Sequence, residues 1–270
     1  MERPRLVASD VDGTLLDPLE RVSARTAAVV RRVVAADVPF VLVTGRPPRW
    51  VPPVAEAAGV TGYAVCGNGA ALYDIDADRV LWQRTLDPVL LRDVTRAIDE
   101  ALPGCRVATE RVDVGGDGRP SRRFLSEPGY QHPWWDPEHS ATSRDQVLGH
   151  AALKLLIRHD NTTSEEMAEI ASAVLDGAVN FTFSSRAGLL EISARGVTKA
   201  TGLADVADRL GVAAADVVAF GDMSNDVPML HWAGHGVAMG NAHPDALAAA
   251  DEVTSSNAED GLALVLERWF

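Results

Sequence analysis

At both ends of this 270-residue chain, short apolar runs of strand length alternate with amphipathic stretches of helix length. "RLVAS" precedes "ARTAAVVRRVVAAD", which Ser23 is placed to cap. "PFVLVTG" (39–45) follows, rich in β-branched residues. Then come "WVPPVAEAAG", with its prolines early where a helix tolerates them, and "GYAVCGNGA" (62–70). Parallel strands need a crossover between them, so a βαβαβ rhythm folds into a parallel sheet covered by helices. The rhythm returns at 196. "TKATGLADVADRLG" is a helix closed by Gly211, "DVVAFGD" (216–222) a strand, "NDVPMLHWAG" a short helix and "HGVAMG" (235–240) a strand, with helices around a last "EVTSS".

Between the two halves the pattern changes. "AALYDI" and "RVLWQRTL" flank "DAD" as a hairpin would, and "DPVLLRDVTRAIDEAL" is an amphipathic helix capped by Asp87. Residues 112–150 are rich in Gly, Pro, His and Trp and have no clear period. "AALKLLIRHD" reads as a strand with Lys154 exposed, "TSEEMAEIASAVLDG" as a helix, "VNFTFSS" and "GLLEISA" as strands. The expected fold is therefore α/β: a Rossmann-like parallel-sheet core, residues 1–83 and 191–270, with an inserted α+β domain over 84–190.

Hydrophobic residues make up 47% of the chain, ample for such a core. The net charge of −13 argues against nucleic acid or an anionic membrane as partner. A small anionic substrate stays compatible, because a local metal or lysine can invert the field. Cys66 and Cys105 form neither a disulfide framework nor a zinc pattern and read as small apolar side chains. No run approaches the ~18 apolar residues of a membrane span, and "MERPRLVASD" is no signal peptide, so a cytoplasmic monomer or homodimer is expected.

The ends of the core strands carry the chemistry. Asp10 and Asp12 follow the first, Thr44 the second, and Asp222, Asn225 and Asp226 follow "VVAF"; Lys199 starts a helix between them. In open parallel sheets ligands bind beyond the carboxyl ends of the strands, so these groups converge on one crevice. Simpler readings exist. An EF-hand needs Gly at position 6 and Glu at position 12, but counting from Asp10 these are Leu15 and Arg21. Asp12 before Gly13 makes a good turn, and "GDMSND" a good cap and turn. Their equivalent positions in one sheet favour a site.

"DVDGTLLD", "TGR" (44–46), "GVTKATGL" (196–203) and "GDMSNDVPML" (221–230), in this order, resemble the four motifs of the haloacid-dehalogenase-like hydrolase superfamily. "CGNGA" (66–70) and "GVAMGNA" (236–242) resemble its Cof-type branch, which carries a class II type B α+β cap where the insertion falls. Two positions depart from the branch pattern: Ala200 stands where Gly is frequent, and "NAHPDALAAAD" lacks a frequent lysine. Neither is a catalytic group.

The resemblance implies a Mg²⁺-dependent phosphatase of small phosphorylated metabolites, sugar phosphates favoured. Asp10 is then the nucleophile, forming an aspartyl phosphate, and Asp12 the acid/base that protonates the leaving oxygen and later takes a proton from water. Mg²⁺ is held by Asp10, the backbone carbonyl of Asp12, and Asp222, with Asp226 orienting Lys199 or a bound water. Thr44, Gly45, Lys199 and Asn225 bind phosphate. Thr14 is expected to orient Asp12. Only Lys154 and Lys199 among the 25 basic residues are lysine, so a Lys at this position points to a wanted compact charge. Arg46 is either substrate-facing or paired. Arg122 and Arg123 are candidate substrate contacts in the cap, and the pair Trp134/Trp135 either packs within the cap or covers a sugar, packing being favoured. His231, His235 and His243 have no nameable metal partner.

Two other functions compete. A sugar phosphomutase would hold a second phosphate on basic cap residues, but 84–190 contains 12 basic and 16 acidic residues. A phospho-acceptor signalling domain also uses strand-end aspartates, but an acid/base two residues after the nucleophile serves turnover rather than storage.

Overall fold

A computed structural model of the chain describes residues 2–112, 123–131 and 136–270. It forms two compact units, Met1–Trp82 with Thr198–Phe270, and Gln83–Val197. The first begins with β1 (Leu6–Ser9), buried along its whole length, and a single wide turn at Val11–Leu15. In α1 (Ala24–Ala35), Ser23 Oγ accepts a hydrogen bond from the Thr26 amide, and Ala27, Val29, Val30 and Val33 form the buried face. β2 (Phe40–Val43), α2 (Pro52–Ala58) and β3 (Tyr63–Cys66) follow. β1 pairs with β2 and β2 with β3 in parallel, with Ala8 opposite Val41 and Leu42 opposite Ala64. β4 (Ala71–Asp74) turns back antiparallel on β3, and β5 (Arg79–Gln83) completes the edge.

The second unit runs α3 (Pro88–Ala101), β6 (Arg106–Glu110), β7 (Phe124–Ser126), β8 (His139–Ala141), α4 (Arg144–Val147), β9 (Lys154–Arg158), α5 (Ser164–Val174), β10 (Val179–Thr182) and β11 (Leu189–Ala194). Asp87 Oδ1 caps α3 by accepting from the amides of Val89 and Leu90, at 2.8 and 3.0 Å. Its sheet has the order β10-β11-β9-β6-β7-β8. Leu91, Val94 and Ile98 of α3 and Met167 and Ala171 of α5 belong to one buried cluster with Leu155, Ile157, Leu190 and Ile192. A boundary at 190 would cut β11, which pairs along its length with β9 and β10 and belongs wholly to this unit.

Lys154 is not the exposed strand residue expected from "ALKLLI". Strand alternation puts Leu155 and Ile157 on the helix-covered face and Lys154 on the other. That other face is itself covered, by a cluster including Phe124, Tyr130, Leu156 and Leu189. A lysine buried there has to be paired, and its Nζ lies 2.5 Å from Glu191 Oε2.

The chain then returns to the first unit through α6 (Lys199–Leu210), β12 (Val217–Gly221), α7 (Val227–Trp232), β13 (His235–Ala238), α8 (Pro244–Ala249), β14 (Glu252–Val253) and α9 (Gly261–Leu266). The sheet order is β14-β13-β12-β1-β2-β3-β4-β5. β12 lies parallel to β1, Ser9 opposite Phe220. The carboxyl ends of β12, β1 and β2 are thus side by side.

Candidate active site

Asp10 leaves the end of β1, its amide still bonded to the Phe220 carbonyl of β12 at 3.0 Å. The next residues cannot stay extended, or Asp10 and Asp12 would face opposite ways. Within the turn, Asp12 (φ −81°, ψ 121°) and Gly13 (φ 78°, ψ −3°) leave helical geometry. Gly13 is required here twice over. Its φ favours glycine, and a Cβ would lie 2.3 Å from Asp222 Oδ2. The turn is pinned by Asn241 Nδ2, which donates to the Gly13 carbonyl at 2.9 Å. Thr14 donates its hydroxyl to Asp222 Oδ1 at 3.1 Å; it orients Asp222, not Asp12 as expected.

Lys199 stands in the first turn of α6, where Thr198 caps the helix. Its Nζ donates to Asp10 Oδ1 and Asp226 Oδ1, both at 2.6 Å, and its side chain is fully buried. Asp226 Oδ2 accepts the backbone amides of Asp222 and Met223, each at 2.9 Å. Both Asp226 oxygens are therefore engaged in holding the lysine and the loop after β12.

The carboxylates of Asp10, Asp222 and Asp226 are buried, each offering an oxygen within 4.8 Å of the others. Burial drives the Asp10 carboxyl well above the usual carboxylate range. Lys199 opposes this, and the charges of Asp226, Asp222 and Asp12 reinforce it. Asp222 is pushed up to about 7, by burial and by Asp226, against Lys199 and the Thr14 hydroxyl. Burial disfavours the Lys199 charge, but Asp10 and Asp226 outweigh it and raise its pKa. With all three ionised, three carboxylates against one ammonium would leave two negative charges in a buried site, and the upward shifts of Asp10 and Asp222 reflect that deficit. A divalent cation with oxygen preference fits that deficit and that donor set. All three could contribute an oxygen, but both Asp226 oxygens already hold Lys199 and the loop amides, which favours Asp10 and Asp222 as the ligands.

Thr44, at the end of β2, is buried, and its Oγ1 accepts the Arg46 amide at 3.0 Å. That leaves the hydroxyl proton for an oxygen elsewhere. Gly45 passes under Asn68, whose Oδ1 would lie 3.1 Å from a Cβ at that position. Asn68 Oδ1 also accepts from Asn225 Nδ2 at 3.0 Å, while Asn225 Oδ1 is buried with no hydrogen-bond partner among the described residues. Asn68 holds a left-handed backbone (φ 58°, ψ 32°) in the turn after β3. Gly69 beside it packs so closely on the Thr198 carbonyl that a Cβ would come within 2.0 Å. The turn in "CGNGA" thus joins the ends of β2, α6 and β12. Asn68 and Asn241 lie within the quoted motifs, but polar residues in turns have a local use in every fold, so the sequence alone does not mark them.

Arg46 is paired: Nε lies 2.8 Å from Asp12 Oδ2 and Nη2 2.5 Å from Asp12 Oδ1. In the second unit, Arg123 Nε lies 3.5 Å from Glu138 Oε2. Arg122, Trp134 and Trp135 lie outside the described residues. Among the histidines, His235 Nε2 is 3.0 Å from Glu252 and His243 Nδ1 is near Ser224 and Asp245. Cys66 and Cys105 are buried and unbridged, as small apolar side chains would be. Among the described residues no helix is long and apolar enough to cross a membrane.

A largely parallel sheet whose central strand ends in a buried, lysine-bound aspartate is the arrangement expected of the hydrolases that the four motifs resemble. The chain belongs to the haloacid dehalogenase-like hydrolase family, whose model matches residues 7–266. It is 27% identical over 267 residues to a Bacillus subtilis 5-amino-6-(5-phospho-D-ribitylamino)uracil phosphatase, covering 98% of this chain and 95% of that protein. It is 28% identical over 244 residues to an HMP-PP phosphatase of Enterobacter, covering 90% and 87%. The crystal structure of a haloacid dehalogenase-like hydrolase from Bacteroides thetaiotaomicron superposes with a TM-score of 0.75 at 25% identity, over 98% of this chain and 99% of that one.

Proposed function

We propose that this hydrolase is a Mg²⁺-dependent phosphatase that releases phosphate from small phosphorylated metabolites through a phosphoryl group carried on Asp10. The observation that carries the reading is the buried bridge from Lys199 Nζ to Asp10 and Asp226. Asp10 attacks as the carboxylate, the form that Lys199 favours and a bound divalent cation would favour further against burial, and the ammonium offsets the charge of an incoming phosphate. In the first step an Asp10 oxygen bonds to phosphorus as the bond to the leaving oxygen breaks, and Asp12 gives that oxygen its proton. In the second, water attacks phosphorus, its proton passes to Asp12, and the bond to Asp10 breaks. Thr44 and Lys199 bind the phosphoryl oxygens, with Gly45 and Asn225 beside them. When bound by Asp10, Asp222 and the Asp12 carbonyl, Mg²⁺ would supply charge neutralisation and alignment of the phosphoryl group.

The ribityl phosphate named for the Bacillus relative and the phosphorylated substrate class of the family support a small polyol or sugar phosphate as substrate. A phosphate-release screen with Mg²⁺ across sugar phosphates, nucleotides and cofactor phosphates tests this. Asp10→Asn is expected to abolish release with the circular dichroism spectrum unchanged, and full activity in that variant overturns the reading. A chelator is expected to stop turnover and added Mg²⁺ to restore it; chelator-resistant turnover removes the metal.

A further inference from the structure

The fork of Arg46 on Asp12 is not an ordinary surface ion pair. The Asp12 side chain is 54% exposed, whereas that of Arg46 is only 20% exposed. Arg46 is also fixed at its backbone: its amide donates to Thr44 Oγ1 at 3.0 Å, and its carbonyl accepts the Gly67 amide at 3.0 Å. A rigid guanidinium rooted in the phosphate-binding loop thus holds a carboxylate that projects into solvent from the turn after β1. Both Asp12 oxygens are engaged, so the plane and direction of the carboxylate are set by Arg46.

We infer that Arg46 is the positioning residue for the acid/base Asp12 rather than a substrate contact, an inference that rests on the phosphatase reading. The fork holds the carboxylate form of Asp12 by two bonds. As a carboxylic acid Asp12 keeps its carbonyl oxygen on one guanidinium N–H and turns its O–H to the leaving oxygen. Without Arg46, a half-exposed aspartate on a turn samples several rotamers, and few of them place the proton within reach of that oxygen.

The consequence is specific to leaving-group chemistry. An alkyl alkoxide needs its proton as the P–O bond breaks, whereas p-nitrophenolate leaves without one. General acid catalysis contributes roughly 10²–10⁴-fold, and misplacing a catalytic group costs about 10²-fold. In rapid-quench experiments with Mg²⁺, Arg46→Ala is expected to slow phosphoryl transfer from a simple alkyl phosphate by about 100-fold. The burst of p-nitrophenolate from p-nitrophenyl phosphate should slow by less than about threefold. Its later steady rate falls, because Asp12 must still take a proton from water. Arg46→Ala combined with Asp12→Asn should be no slower on the alkyl ester than Asp12→Asn alone. Arg46→Lys, which keeps the charge but not the planar fork, should fall between wild type and Arg46→Ala, and it reports on the point even where the alanine variant folds poorly. Equal slowing of both esters, or a raised KM with unchanged burst rates, would show a substrate contact and overturn the inference. Wild-type protein that releases phosphate from neither ester overturns the phosphatase reading and this one with it.

Discussion

Lys199 concentrates the electrostatics of the site in one atom. Its Nζ is 2.6 Å from two buried carboxylates that otherwise repel each other. Removing one partner from a buried ion pair leaves uncompensated charge and costs about 3–5 kcal/mol. Lys199→Met, measured by urea denaturation in a chelating buffer, is expected to lose stability on that scale. A loss below about 1 kcal/mol would mean that the carboxylates re-solvate or protonate at little cost. Lys154 makes a useful contrast. Both lysines are buried and carboxylate-bound, but Lys154 has one carboxylate partner among the ion pairs formed by described residues, Glu191, and it lies in a strand of the other unit. The rarity of lysine in the chain pointed to Lys199 and was just as informative about Lys154, whose neighbours "AL" and "LLI" disguised it as a residue on an open face.

At the scale of elements, what could be read from sequence was what is periodic. β1, β2, β3 and β12 announce themselves as short apolar runs, and Asp10, Asp12, Thr44 and Asp222 stand at their ends because a parallel sheet gathers such ends. What could not be read was pairing. That Thr14 serves Asp222 and Arg46 serves Asp12 depends on how turns fold back across the sheet, and no local spacing encodes that. The start of α5 is local by contrast: a capping box of Thr163 with Glu166 closes its first turn. The edge strand β14 shows how little an element can consist of. It has two residues, and Arg268 grips Glu252 through two bonds of 2.6 and 3.0 Å, with His235 adding a third. Arg268 foremost, aided by His235 and opposed by burial, holds the Glu252 carboxyl below its ordinary range. A depressed carboxyl contributes stability above its unfolded value and loses it on acidification. Glu252→Gln is therefore expected to cost about 0.5–1 kcal/mol at neutral pH, with the gap closing as pH falls below about 4.5. Thermal melts of both proteins across that range check it; a gap that persists at low pH assigns the effect to packing.

For the whole molecule, a net charge of −13 sets a field that opposes an anionic substrate until it is within reach of Lys199 and any bound cation. Salt screens that long-range repulsion within about 8 Å at physiological ionic strength and leaves the buried contacts almost untouched. With Mg²⁺ held constant and saturating, kcat/KM for a phosphate dianion is expected to rise, by up to about twofold, from low salt to 0.15 M, with kcat unchanged. A fall would reveal an attractive path into the site.

The pairing of β1 with β12 bears on how the protein is made. Ser9 lies beside Phe220, with an entire compact unit of sequence between them. On a ribosome, β1 emerges long before β12 and has only β2 for a neighbour until about two hundred further residues are synthesised. The inserted unit Gln83–Val197 pairs its strands within itself and can complete its fold while the nascent chain still lacks β12. Asp10 and Lys199 are thus strangers for much of translation, and the site comes into being only once β12 has joined β1.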